Sequence, residues 1–197
     1  MAGGRRGIIF VVSAPSGAGK TTIVRRVISQ VPGVSLSISC TTRAPRPGEQ
    51  NGVDYSFITR AEFSAMEQAG RFIEWAQVHG DLYGTPRANM EKIRQGEDLV
   101  LEIDTEGAKK IREAFSDAVL IFILPPSLED LKGRLRSRGG DAEEAIAARL
   151  HNAQKELDQT ARYDYIVVNK EIEEATREVA SIVIAERCKA ARVLAER

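Results

Sequence analysis

The chain has little of several things, and each shortage closes a door. Only two cysteines, Cys40 and Cys188, occur in 197 residues. Two thiols so far apart give neither a disulfide framework nor a metal cluster, and they fit a reduced, cytoplasmic setting. The two histidines, His79 and His151, make no ligand spacing with them. There is no excess of either charge, with 28 basic residues against 28 acidic ones. A nucleic-acid binder that works by bulk charge is therefore not expected, and any cationic site must be local. Long apolar runs are missing too. Nothing approaches the roughly 20 residues that a membrane-spanning helix needs, so no membrane partner is expected. The start "MAGGRRGIIFVVSA" imitates a signal peptide, but its unbroken apolar run is only Ile8 to Val12. A buried strand explains it better. Internal repeats and low-complexity tracts are also absent.

What is present is an ordinary globular composition, 43% hydrophobic and 28% charged, in a length that suits one domain. Five segments read as buried strands: "GIIFVVS" (7–13), "SLSIS" (35–39), "LVLEID" (99–104), "AVLIFIL" (118–124) and "DYIVV" (164–168). Most are near-continuous β-branched or leucine runs, the pattern of strands covered on both faces. Helical patterns lie between them. Ile23, Val24, Val27, Ile28 and Val31 recur at helical spacing. Ser127 with Asp130, and Asp141 with Glu144, look like helix starts. Residues 171–195 read as one long amphipathic helix without proline or glycine. The alternation predicts an α/β fold with a five-stranded parallel sheet flanked by helices. Two regions break the rhythm and read as insertions, 40–94 and 127–157. The core is then 1–39, 95–126 and 158–197.

"APSGAGKTT" (14–22) follows the first strand and opens the first helix. The Walker A pattern is Gly, four residues, then Gly-Lys-Ser/Thr. Gly19, Lys20 and Thr21 match its second half, while Ala14 replaces its first glycine. Backbone N–H groups of Ser16 to Thr21 can wrap a phosphate where a helix dipole favours anions. Gly17 and Gly19 permit the unusual backbone angles, Lys20 can reach the β- and γ-phosphates, and Thr21 can hold Mg²⁺. This loop fixes a nucleoside triphosphate as donor and leaves the acceptor open. A GTPase reading is weak. "VNKEI" (168–172) has Asn169 and Lys170 but Ile172 where a guanine reader needs Asp, and "DTEG" (104–107) is a short match.

The acceptor signal lies in "SCTTRAPRPGEQNGVDYSF" (39–57). Arg43 and Arg46 can offer two guanidinium forks to one phosphate. Pro45 and Pro47 stiffen the segment, and "NG" at 51–52 reads as a tight turn that returns Tyr55 towards the arginines. In "FIEWAQVHGDLYGTP" (72–86), Glu74 sits among Phe72, Ile73 and Trp75. A carboxylate there needs a partner. Guanine presents two adjacent donors on its pairing edge, which one carboxylate accepts together, whereas adenine offers an acceptor.

With these residues in place, the sequence resembles the guanylate kinases over roughly residues 7–187. "TTRAPRPGEQNGVDY" is similar to that family's substrate signature, and "SAPSGAGKTT", "FIEWAQVHGDLYGT", "LEIDTEGA" and "RLRSRGGD" fall in the family's order. The resemblance implies a P-loop NTPase fold, a GMP-binding lobe over 40–94, a helical lid over 127–157, and the reaction ATP + GMP to ADP + GDP with Mg²⁺. Carried over, Ala14, Pro15, Ser16, Gly17, Ala18, Gly19, Lys20, Thr21, Thr22 and Asn169 would bind ATP, with Asn169 near the adenine. Arg43, Arg46, Tyr55 and Tyr83 would take the GMP phosphate. Ser39, Glu74, Thr85 and Asp104 would lie at or near the guanine, and Gly84 would also bind GMP. Lys20, Arg43, Arg134, Arg138 and Arg149 would stabilise the transferring group, and Thr21 would hold Mg²⁺, with Glu102 reaching it through water. Glu102 stands where the family usually has aspartate. Arg134 and Arg138, four apart, share a helix face, and Arg136 points away. Two rivals stay open: a nucleoside monophosphate kinase that reads another base, and a non-catalytic module of the same fold. Retention of Lys20, Thr21, Arg43 and Arg46 speaks against the second.

Overall fold

Ile9–Ser13 is buried at every position, as a strand covered on both faces must be. Its side chains alternate between two apolar layers. Ile8, Phe10 and Val12 join one cluster, and Ile9 and Val11 the other. The computed structural model describes residues 5–78, 80–137 and 143–195. In chain order the elements are β1 (Ile9–Ser13), α1 (Lys20–Gln30), β2 (Val34–Leu36), β3 (Cys40–Thr41), β4 (Ser56–Phe57) and α2 (Arg60–Gln68). Then come β5 (Phe72–Val78), β6 (Asp81–Pro86), a short 3-10 turn and α3 (Met90–Arg94). They are followed by β7 (Asp98–Glu102), α4 (Thr105–Ala114), β8 (Val119–Leu124), α5 (Leu128–Ser137) and α6 (Glu143–Leu157). The chain ends with β9 (Tyr165–Val168), α7 (Ile172–Arg187) and α8 (Ala190–Ala195).

The main sheet has the order β2-β7-β1-β8-β9, with every pair parallel. All five expected strands are in it. The weakest of them, expected over 35–39, forms only Val34–Leu36, because "SLSIS" has two isolated apolar residues to bury. Helices α1 and α7 cover one face with Ile23, Val24, Val27, Val179 and Val183. On the other face Ile111 of α4 and Ile93 of α3 pack on Leu99, Leu101 and Leu120. Parallel strands leave their C-terminal ends together, and the cleft of an open α/β sheet lies outside that edge.

Residues 40–86 build a second, four-stranded sheet of order β4-β3-β6-β5. Cys40, Phe63 and Phe72 are its small core, with Trp75 and Leu82 against them. The thiol of Cys40 is a buried filler there, and burial pushes its pKa up. Helix α2 begins with a capping box between Thr59 and Glu62. Further along, Ser127 accepts from the Asp130 N–H at 3.0 Å at the start of α5. The Asp141 start expected for the next helix lies outside the described residues.

The long helix expected over 171–195 is two helices. Its break at Cys188 has a visible cause. Glu186 is fully buried and accepts from the Tyr165 hydroxyl at 2.6 Å. Ending α7 there lets Lys189 and Arg192 fold back onto the same carboxylate, at 2.6 and 3.3 Å.

Asp98 performs a similar task at the start of β7, on the neighbouring residue of α7. Its side chain is 0% exposed and accepts from the Ile8 N–H at 2.8 Å, from Arg187 Nε at 2.7 Å and from Arg5. It ties the entry to β1 and the end of α7 to β7. Removing one partner of a buried pair strands the rest. Asp98→Asn is expected to lower stability by about 2–4 kcal/mol, since both arginines are partly solvated. Urea unfolding with an unchanged m-value checks this.

Candidate active site

The chain leaving β1 meets helix α1 with no side-chain cap and no acidic residue in the first turn. The first N–H groups of the helix are thus left for an outside anion. Gly17 and Gly19 have φ of 95° and 94°, a left-handed region that a side chain strains to enter. A Cβ on Gly19 would also come within 2.4 Å of the Asn169 amide. That amide is buried and donates to the Ala18 carbonyl at 2.7 Å. Asn169 therefore supports the phosphate loop from behind. Thr21 follows Lys20, and its hydroxyl donates to Glu102 at 2.9 Å. Glu102 is in place for this because it lies beside Val12 in the β1–β7 ladder.

Across the cleft stands the cationic wall of the second sheet. The Arg43 guanidinium donates to Tyr83 Oη at 3.2 Å, to the Ala44 carbonyl at 2.7 Å and to Glu49 Oε1 at 2.9 Å. It also lies over the Tyr55 ring, 5.5 Å from the centroid. Glu49 uses its other oxygen to accept from the Arg46 N–H at 2.7 Å. One carboxylate thus holds the Arg43 fork and the Arg46 backbone. The Arg43 hydrogen bond holds the Glu49 carboxyl below its ordinary range, against burial. The expected turn is there: the Gly52 N–H bonds the Tyr55 carbonyl at 2.8 Å, with Gly52 at φ 78°. It returns Tyr55 to the edge of Tyr83, 6.0 Å between centroids. Burial, chiefly, pushes the Tyr55 pKa up to about 12, so its hydroxyl remains a donor. Arg46 itself stays exposed.

Deeper in, Glu74 is 6% exposed and Thr85 0%. The two are paired across β5 and β6, and Thr85 Oγ1 donates to Glu74 Oε1 at 2.5 Å. The register shifts at a bulge between Phe72 and Glu74, and the two side chains part: Phe72 packs with Phe63 and Trp75, while Glu74 lies beside Gly107 and Asp104 at the start of α4. Burial raises the Glu74 pKa, the Thr85 bond opposes it, and Asp104 adds to the rise. Asp104 is the N-cap of α4 and accepts from the Gly107 N–H at 2.7 Å, which leaves its second oxygen to the cleft. Ser39 is buried beside this end. Gly84 serves packing: a Cβ there would meet the Phe72 ring at 2.8 Å.

Most of these residues line one cleft of about 360 Å³, a size suited to a small-molecule site, with Thr85 fully buried behind Glu74. It runs from Ala14, Lys20 and Thr21, past Glu102 and Asp104, to Arg43, Arg46, Tyr55, Tyr83 and Glu74. A second opening is lined by Gly17, Gly19, Arg134, Asn169 and Ile172. There Arg134 donates to the Asn169 carbonyl at 3.0 Å. Arg149 sits on α6, partly buried, and lines neither opening. Arg138 and His79 lie outside the described residues, and His151 is exposed.

Two contributors escaped the sequence reading. Glu49 had a signal, as the single carboxylate between the arginine pair and the turn. Glu156 of α6 had none. It is the residue of 127–157, among those described, that lines the main cleft. Burial pushes its carboxyl up to about 7, while Lys20 pulls it down and Asp104 adds to the rise.

The profile of the guanylate kinase family matches residues 6–186. A guanylate kinase of Syntrophotalea carbinolica is 49% identical over 193 residues, covering 98% of this chain and 92% of that one. One of Rhodopseudomonas palustris is 50% identical over 187 residues, covering 94% and 85%. Among solved structures, the guanylate kinase of Anaplasma phagocytophilum superposes with a TM-score of 0.82 at 36% identity, covering 96% of this chain and 90% of that one. The sheet order, the phosphate loop and the arginine wall thus sit in a chain that belongs to the guanylate kinase family.

Proposed function

We propose that the cleft carries out the family reaction, transfer of the γ-phosphoryl group of ATP to GMP, with ADP and GDP as products. The family assignment over residues 6–186 carries this reading. Phosphoryl transfer asks a protein for alignment and charge neutralisation more than for covalent chemistry. The two anion walls supply both.

The donor phosphates lie on the loop from Ala14 to Thr22, with Lys20 as the point charge and the uncapped start of α1 behind it. The acceptor phosphate is taken by Arg43, Arg46, Tyr55 and Tyr83. Supporting this, Arg43 is already held by Glu49 and Tyr83, so little side-chain freedom is lost when the anion arrives. Guanine is read by Glu74, which accepts from its N1–H and amino group, with Ser39, Thr85 and Asp104 alongside. The bond from Thr85 keeps the buried Glu74 carboxylate aimed. Arg134 on the lid, with Arg138 and Arg149 brought in by closure, would neutralise the transferring group and limit idle hydrolysis. No general base is assigned.

Mg²⁺ fits the oxygens present. Thr21 and Glu102 are hard oxygen ligands side by side at the phosphate loop. Mg²⁺ is suited to one or two protein oxygens together with substrate phosphates. Thr21 would bind it directly and Glu102 through water. When bound, Mg²⁺ neutralises charge on the donor phosphates. No helix among the described residues is long and apolar enough to cross a membrane, and a cytoplasmic setting accords with two free thiols.

Two outcomes test these roles. Glu74→Gln presents an amide where guanine needs two acceptors. It is expected to lower kcat/KM for GMP by about 100-fold and for AMP by under about threefold. Equal losses would remove the guanine role from Glu74. The second concerns Glu156, whose folded pKa of about 7 lies above the ordinary 4.5. The folded state holds its proton more tightly, so this group's stabilising contribution is full below about 4.5 and lost as pH rises through about 7. Glu156→Gln cannot charge. Thermal unfolding is expected to show it gaining on the parent protein between pH 5 and pH 8, and a constant gap would contradict that.

A further inference from the structure

Arg25 lies on α1, one helical turn past Thr21. Its guanidinium donates to Asp54 Oδ1, in the turn that returns the chain from Arg46 to Tyr55. The other oxygen of Asp54 accepts from the Gln50 N–H at 2.7 Å. One carboxylate therefore closes the turn and reaches across to the helix that begins at the phosphate loop. The Asp54 side chain is 7% exposed and that of Arg25 60%. The anion is fixed by its own turn, and the cation comes over from solvent to cover it. The turn does not need Arg25, because the Gly52–Tyr55 and Val53–Gln50 backbone bonds also close it. Both side chains line the cleft, yet the phosphate chemistry above uses neither.

We propose that the Arg25–Asp54 ion pair is a cross-cleft clasp, a positioning pair that sets the acceptor wall, through Tyr55, at its working distance from the phosphate loop. The inference rests on the acceptor reading given above. A partly solvated pair is a weak and reversible tie, screened by salt. Such a tie suits a wall that has to move away to release product. It acts on GMP rather than on ATP, since Arg25 belongs to the rigid helix and only Asp54 moves with the wall.

Arg25→Gln, Asp54→Asn and the double variant test this. The asparagine carbonyl still accepts from Gln50, so the turn is kept. GMP binding is followed by the fluorescence of Trp75, the single tryptophan, on β5 beside Glu74. Each single variant is expected to weaken GMP binding about three- to fivefold, with the double variant no weaker than either, because both break one contact. KM for ATP and the thermal midpoint should stay within about twofold and about 2 °C of the parent protein. In about 0.5 M NaCl the difference should shrink. Additive losses, equal losses for ATP and GMP, or singles that bind as the parent protein does would each overturn the clasp. Absence of saturable GMP binding by the parent protein itself would overturn the acceptor reading, and the clasp with it.

Discussion

The register between β1 and β7 sets the rest of the site. Val12 lies beside Glu102, one residue from the end of β1. The chain leaving β1 becomes the phosphate loop, and the chain leaving β7 delivers Glu102 to Thr21 and Asp104 to the neighbourhood of Glu74. A slip of one residue would turn every side chain of β7 to the other face. The apolar runs of both strands follow from burial on two faces, and a slip between them would trade apolar for apolar. The polar ends of β7 are what a slip would misplace: Asp98, bonded to the Ile8 N–H, and Glu102, bonded to Thr21.

The second sheet solves another problem, holding cations and carboxylates in place before a ligand arrives. Arg43 is not a free fork awaiting phosphate. It is held by Glu49, Tyr83 and the Ala44 carbonyl, and stacked over Tyr55. Likewise Glu74 is buried but aimed by Thr85. Each carries the cost of desolvation in advance, so substrate charge meets groups that need little rearrangement. Helix α6 brings a contrasting element. Glu156 places a carboxyl near Lys20 and Asp104, where its charge depends on pH near neutrality.

Much of this was legible in the residues, for physical reasons. Short, near-continuous β-branched and leucine runs fit doubly covered strands, and alternating them with helical patterns leaves few topologies. The Gly-Lys-Thr triplet at a strand-to-helix junction has one efficient use. Glu74 stood out because a carboxylate among Phe72, Ile73 and Trp75 is costly without a partner. Other features had no periodic signature. The bulge that separates the surroundings of Phe72 and Glu74 is a ladder property, visible only in the pairing with β6. The break between α7 and α8 depends on Lys189 and Arg192 folding back to a carboxylate buried by tertiary packing. Arg25 and Asp54 lie 29 positions apart and meet only because the turn before Tyr55 comes against α1 in the folded chain. Asn169, expected beside the adenine, is seen bracing the loop at Ala18.

The central claim is that this cleft moves a phosphoryl group from ATP to GMP. ADP release from the full chain with ATP and Mg²⁺, measured in turn against GMP, AMP, CMP and UMP, tests it most directly. The account predicts turnover that depends on GMP, with one GDP formed per ADP, and far slower release with the other three. ADP release independent of GMP, or equal with AMP, would contradict it.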